Sequence, residues 1–175
     1  MAERQIMKIN FKNFVWLMLL TALGFAANLT AAEDTNTIII SSASDWQTSM
    51  NDSTNWSRNI ILTADIDLLG ITLSPIGTHE IPFTGSFNGN GHVIYNLTIN
   101  APDSNCVGLF GCIYKGQVTK LGLSSVSITG HDYVGGIAGL NFGGIITSCY
   151  VTGSVDGLLY VGGLVGYSTA AEEYD

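Results

Sequence analysis

The chain has 175 residues, 14 acidic against 6 basic, for a formal net charge of −8 with only 11% charged side chains. Such a surface repels phosphate backbones and anionic lipid, which excludes nucleic acid as an expected partner. At 46% hydrophobic residues the chain is too apolar for disorder, and its length suits one domain.

The first 32 residues read as a secretory signal peptide. Lys8 and Lys12 precede an uncharged apolar run from Phe14 to Ala27, and Thr30-Ala31-Ala32 supplies small residues before Glu33. Met7 offers an alternative start. The run is short for a bilayer span of ~20 residues, so a retained anchor is the weaker reading. The expected destination is the outside of the cell or its surface, with no stable membrane insertion after cleavage. Removing residues 1–32 leaves Arg58, Lys115 and Lys120 against thirteen acids, a net charge of about −10. Polyanionic sugars are therefore poor ligands unless a metal bridges the charges.

Residues 33–59 read as an N-terminal cap region. Thr37 to Ser41 is a β-branched run that predicts a first strand, and Ser44-Asp45-Trp46-Gln47 has the spacing of a capping box, predicting a short helix near 44–50 with Ser44 as N-cap. A helix there would cover the open end of a stack of strands. Residues 60–106 read as lead-in coils. Ile66 and Leu68 share one strand face while Asp65 and Asp67 share the other. Pro75-Ile76-Gly77 and Ile81-Pro82-Phe83 predict turns, Asn88-Gly89-Asn90-Gly91 suits left-handed corners, and another corner is expected near Tyr95-Asn96.

Residues 107–166 carry a repeat. Val107-Gly-Leu-Phe-Gly111, Val134-Gly-Gly-Ile-Ala-Gly139 and Val161-Gly-Gly-Leu-Val-Gly166 are separated by 27 residues each time. Each unit contains about three short β-prone pieces with Gly at the corners. That fits one coil of a parallel β-helix, whereas a propeller blade needs ~40 or more residues. Gly108, Gly111, Gly135, Gly136, Gly139, Gly162, Gly163 and Gly166 are the expected structural glycines, stacked at bends where a side chain would clash and the backbone would be strained. Overlaying the units places Cys106 with Tyr133 and Tyr160, Cys112 with Leu140, and Cys149 with Leu121, columns taken as apolar. Buried free thiols are the expected state of the three cysteines, with one disulfide plus a leftover thiol as the alternative. Residues 167–175 break the repeat in an acidic tail, which reads either as a truncated end or as a device that discourages edge pairing.

These phrases resemble the GLUG repeat of exported bacterial surface proteins. The likeness rests on Val-Gly-Gly-Leu-Val-Gly with an upstream Tyr, and on Gly143-Gly-Ile-Ile-Thr-Ser-Cys-Tyr-Val-Thr-Gly153. Leu62 to Leu68, Pro75 to Gly77, Phe83 to His92 and Asn96 to Ile99 resemble the coils that precede such repeats. The resemblance covers roughly residues 38–166. It implies an all-β fold, a right-handed parallel β-helix of pectin-lyase-like shape with a short N-terminal capping helix. It implies adhesin-like surface proteins or the non-catalytic part of immunoglobulin-cleaving metallopeptidases, with no catalytic residue or cofactor to carry over. The chain has no His-Glu-x-x-His sequence, and His79, His92 and His131 read as isolated.

Candidate chemistry is sparse. Asp65 and Asp67, joined by Glu80, are the carboxylates available for acid–base work on a sugar or for Ca²⁺, although Ca²⁺ wants ~6–8 oxygen ligands. Their plainer role is turn hydrogen bonding. Gly89 and Gly91 do not form a phosphate loop, since no helix and no Lys-Ser/Thr follow. Tyr133 and Tyr160 at repeat spacing, with Tyr95, Tyr114 and Tyr150, offer either an exposed ladder for a glycan or corner packing. Asn28, Asn51, Asn55 and Asn96 head glycosylation sequons, as expected by chance in so Asn/Ser/Thr-rich a chain. The expected function is a non-enzymatic exported module, adhesin-like stalk or binding scaffold, whose partners are extracellular glycans or host and neighbour-cell surface proteins. The alternatives are a carbohydrate-active enzyme using Asp65, Asp67 and Glu80, and the scaffold of a surface metallopeptidase.

Overall fold

The computed structural model describes residues 36–171. Residues 1–32, read above as a signal segment, and the last four residues of the acidic tail lie outside the described residues. In chain order the strands are β1 (Thr37–Ile40), β2 (Asn59–Leu62), β3 (Ile66–Asp67), β4 (Ser86–Asn88), β5 (Val93–Tyr95), β6 (Thr98–Asn100), β7 (Phe110–Tyr114) and β8 (Gln117–Thr119). They continue as β9 (Gly122–Thr129), β10 (Asp132–Gly135), β11 (Ala138–Phe142), β12 (Ile145–Thr147), β13 (Tyr150–Asp156), β14 (Leu159–Gly162) and β15 (Val165–Thr169).

The strands form four parallel ladders. Sheet A runs β1-β2-β4-β8-β12, sheet B runs β3-β5-β9-β13 with β6 also on β9, sheet C runs β7-β11-β15, and sheet D is β10-β14. Apart from β5 and β6, which both lie on β9, successive strands of one coil belong to different sheets, so each coil bonds to the coils above and below: a parallel β-helix. β1 is already part of this ladder, since Thr37 pairs with Asn59, so the first coil begins ahead of residue 60. Each full coil holds four strands rather than the three expected. The Val-Gly pair of the second and third phrases ends a strand of its own, and the stretch from Tyr160 to Gly166 divides into β14 and β15 at a bend.

Registry follows the repeat. Val107 bridges Val134, and Val134 pairs with Val161, both at 27 residues. Along sheet C the first interval grows by one, with Phe110 on Ala138 and Cys112 on Leu140, because the second phrase has one more residue than the first. The register then slips back between Val151 and Gly153. Like columns bury the core: Val107 and Val134 are fully buried, as are Ile128, Leu121, Leu123 and Val118. One column turns from apolar to polar. Asn141 lies over Ile113 and under Ser168, 6% exposed, and its Nδ2 donates to Gly144 O and Ser168 Oγ at 3.1 Å each.

The N-terminal end is closed by a helix, α1 (Ala43–Met50). Its N-cap is Ser42, two residues earlier than the capping-box reading placed it: Ser42 Oγ accepts from the Asp45 N–H at 3.1 Å. Asp45 closes the motif by accepting from the Ser41 N–H and hydroxyl at 3.0 and 2.8 Å, and Gln47 plays no part. A carboxylate wins this place because it also faces the positive end of the helix dipole. The helix buries Trp46, whose ring meets Phe87 edge-on at 5.9 Å. Phe87 meets Phe110 at 5.5 Å, and Phe110 meets Phe83 at 4.7 Å. Four aromatic side chains thus plug the first coils.

Corners and glycines divide their labour in an unexpected way. Most left-handed corner residues are not glycine: Asn90, Asn96, Cys106, Lys115, Lys120, Ser125, Tyr133, Ser148 and Tyr160 all have φ between 52° and 59°. The phrase glycines Gly111, Gly139 and Gly166 have no positive φ. Their necessity is closeness of backbone to backbone, not strain. A Cβ on Gly139 would stand 2.5 Å from Val107 N and from Tyr133 O, and one on Gly166 would stand 2.6 Å from Val134 N.

Candidate functional site

Tyr133 and Tyr160 occupy the same left-handed corner of successive coils, and their rings stack at 4.9 Å with parallel planes. This corner turns the side chains outward, so the Cys106–Tyr133–Tyr160 column lies on the surface and is not the core column the overlay suggested. Tyr160 is 54% exposed. Tyr167, from β15, stands edge-on to both rings at 5.9 and 5.5 Å. It continues the column of Cys112 and Leu140 on sheet C. The outer side of this region is therefore aromatic and half-wet.

Two cavities open here. One, of about 430 Å³, is lined by Cys106, Tyr133, Tyr160, Tyr167, Leu140 and Phe142, with His79 and Asn105 on its polar side. The other, of about 300 Å³, is lined by His79, Pro82, Cys112, Tyr114, Phe142, Thr169, Ala170 and Ala171. His79 and Phe142 belong to both. The loop that carries His79 is pinned to sheet C at each end, by bridges from Ile76 to Phe110 and from Phe83 to Ile113.

The carboxylates sit elsewhere and apart. Asp65 and Asp67 are exposed beside β3 of sheet B. Asp65 Oδ1 accepts from the Val93 N–H at 3.0 Å and lies 3.1 Å from His92 Nδ1. Asp67 Oδ1 accepts from Asn96 Nδ2 at 2.7 Å and the Leu69 N–H at 3.0 Å. Glu80 belongs to the sheet C loop, with its own N–H and Thr78 as partners. Each of the three is held below the ordinary carboxylate range by its hydrogen bonds: the Val93 N–H then His92 for Asp65, Asn96 then the Leu69 N–H for Asp67, its own N–H then Thr78 for Glu80. A general acid at neutral pH needs the opposite shift. These groups are bonded to turns and to the next coil.

His92 is paired with Asp65 and not isolated, and His131 Nδ1 lies 3.2 Å from Asp132 Oδ1. The period itself was the missed signal, because Asp65 and His92 are 27 residues apart. The three cysteines are free thiols, but only Cys112 is buried as expected; Cys106 and Cys149 are partly exposed. Burial raises each thiol, that of Cys112 to about 11, so none is a thiolate near neutral pH. Among the described residues, no group of three or more His, Cys, Asp and Glu converges as a metal site, and no helix is long and apolar enough to cross a membrane.

Comparison with known proteins agrees with this architecture. Residues 130–156 match the GLUG motif. Over 140 residues, 73% of this chain, it is 36% identical to halomucin of Haloquadratum walsbyi, covering 2% of that protein. Over 90 residues, 49% of this chain, it is 40% identical to a protein of Evansella cellulosilytica named as a Gly-rich membrane protein, covering 10% of it. The chain thus spans a small part of the length of the relatives it matches. In structure it is similar to a Bacteroides ovatus protein provisionally described as an immunoglobulin A1 protease, with a TM-score of 0.51 and 20% identity over 78% of this chain and 63% of that one. That likeness concerns the fold alone. Motif, relatives and coil geometry agree: the chain carries a GLUG motif at residues 130–156 within a parallel β-helix and is similar to GLUG-repeat proteins.

Proposed function

We propose that the chain serves as a non-enzymatic β-helix module of an exported protein, an adhesin-like stalk or scaffold that extends and displays other parts at the cell surface. The observation that carries this reading is the rung-on-rung registry of the repeat. Val107, Val134 and Val161 stack in one column, so each 27-residue unit adds one layer and the number of units sets the length. Relatives many times longer than this chain fit a module used inside larger proteins. The apolar segment Phe14–Ala27 supports export.

Two measurements test it. Inserting a second copy of residues 130–156 after Asp156 keeps the phase of the coil. Small-angle scattering should then show an axial dimension longer by one inter-strand spacing, about 4.8 Å, with an unchanged cross-section. A widened or disordered particle would sink the stalk reading. Amine labelling of intact producing cells should reach the exposed Lys115 and Lys120; labelling only after lysis would remove the surface from the proposal.

A further inference from the structure

The tyrosine column is one ring short. Tyr160 and Tyr133 stack at 4.9 Å, and one coil further down the same left-handed corner holds Cys106, which has no ring to stack under Tyr133. The cavity of about 430 Å³ described above reaches from Cys106 and Asn105 up to Tyr160 and the edge-on Tyr167 ring, with Leu140 and Phe142 also lining it. A flat ring of tyrosine size placed there would continue the ladder.

The rim of the slot says what kind of ring. His79 and Asn105 line it. Asn105 uses its Oδ1 to accept from the Asp132 N–H at 3.2 Å, which leaves its amide N–H₂ to donate. The Glu80 carboxylate lies near enough to Cys106 to oppose ionisation of its thiol. An apolar face with a donor and an imidazole around its edge matches a pyranose, which shows C–H bonds on its face and hydroxyls at its perimeter. Glu80, Asp132 and the net charge of −8 disfavour uronic or sialic acids, so the sugar is neutral.

We propose that the outer side of sheet C is a carbohydrate-binding subsite: a neutral pyranose ring stacks on Tyr133 in the cavity that reaches Cys106, its hydroxyls facing His79 and Asn105. This deepens the reading of the chain as a non-enzymatic module and rests on it. Aromatic side chains commonly provide such stacking surfaces with one wet edge.

The test uses the full chain and saturation-transfer NMR with titration. The probes are neutral gluco-, manno- and xylo-oligosaccharides, with an oligoglucuronate and a tyrosine-containing peptide as controls. At least one neutral oligosaccharide should bind saturably, and the oligoglucuronate should not. Tyr133→Ala should weaken binding about tenfold or more. Cys106→Tyr is the sharper variant, because it completes the ladder and fills the slot: binding should fall at least as far while the unfolding midpoint holds or rises. Undiminished binding by Cys106→Tyr, saturation by the peptide in place of the sugars, or no binding by any sugar would each overturn the proposal. None of these outcomes bears on the added-coil dimension, so the stalk reading stands or falls separately.

Discussion

The middle and last coils carry nearly the same phrase in different surroundings. Val134, with coils on both sides, is fully buried, whereas Val161, with no described coil above it, is 43% exposed. A Cβ on Gly136 would stand 2.6 Å from Gly163 O, while one on Gly163 would meet nothing within 4 Å. The phrase therefore has little stability of its own; what stabilises it is the layer stacked on it. That is the energetics of a one-dimensional array, in which interfaces between units dominate.

The comparison breaks most visibly at the glycines. Gly139→Ala places a methyl group against the Val107 and Tyr133 backbones, which cannot rotate away, and should cost about 3 kcal/mol or prevent folding. Gly163→Ala should change stability by less than about 0.5 kcal/mol. Urea midpoints measure both, and similar costs at the two positions would contradict the stacking account. Next come the valines. Val134→Ala empties part of a fully buried column and should cost about 2 kcal/mol, against about 0.5 kcal/mol for the half-exposed Val161→Ala.

A third contrast concerns corners. Lys115 and Gly143 occupy the same corner of successive coils, one carrying a side chain at φ 53° and the other none at φ 61°. The left-handed conformation costs a non-glycine residue roughly 1–2 kcal/mol, part of which glycine returns in unfolded-chain entropy. Lys115→Gly should therefore raise stability by about 0.5 kcal/mol. A loss would mean that the Lys115 side chain, whose ammonium lies 5.4 Å from the centre of the Tyr114 ring, outweighs the strain.

The fold was legible because stacking forces like residues into like places, and a period of 27 in Val, Gly and Ile is a direct imprint of that. The face on which a column falls was less legible. Cys106, Tyr133 and Tyr160 share a corner whose left-handed φ turns them outward, and no alternation of apolar and polar residues encodes such a turn. The separation of Glu80 from Asp65 and Asp67 was hidden for a related reason: the chain leaves sheet B, crosses a turn and lands on sheet C, and short turns carry no marker of direction. The link between Asp65 and His92 was available at one repeat distance, but the sequences around the two residues do not resemble each other, so nothing invited the overlay.

That link yields the smallest effect and the last contrast, between coils joined by close glycines and coils joined by polar side chains. Asp65 accepts from the Val93 N–H and contacts His92 one coil away, and these bonds hold its carboxyl below the ordinary Asp range. A group whose folded-state pKa is depressed stabilises the fold above its ordinary pKa of about 3.9, and the contribution disappears as pH falls through the folded value. The wild-type unfolding midpoint should therefore decline on acidification from about pH 5 into the range below 3.9, and Asp65→Asn should flatten part of that decline. Its side chain is 53% exposed, so solvent screening keeps the gain modest and well below the cost of Gly139→Ala. Parallel acid profiles for wild type and Asp65→Asn would mean that the lead-in coils, like the repeat coils, depend on backbone and core contacts alone.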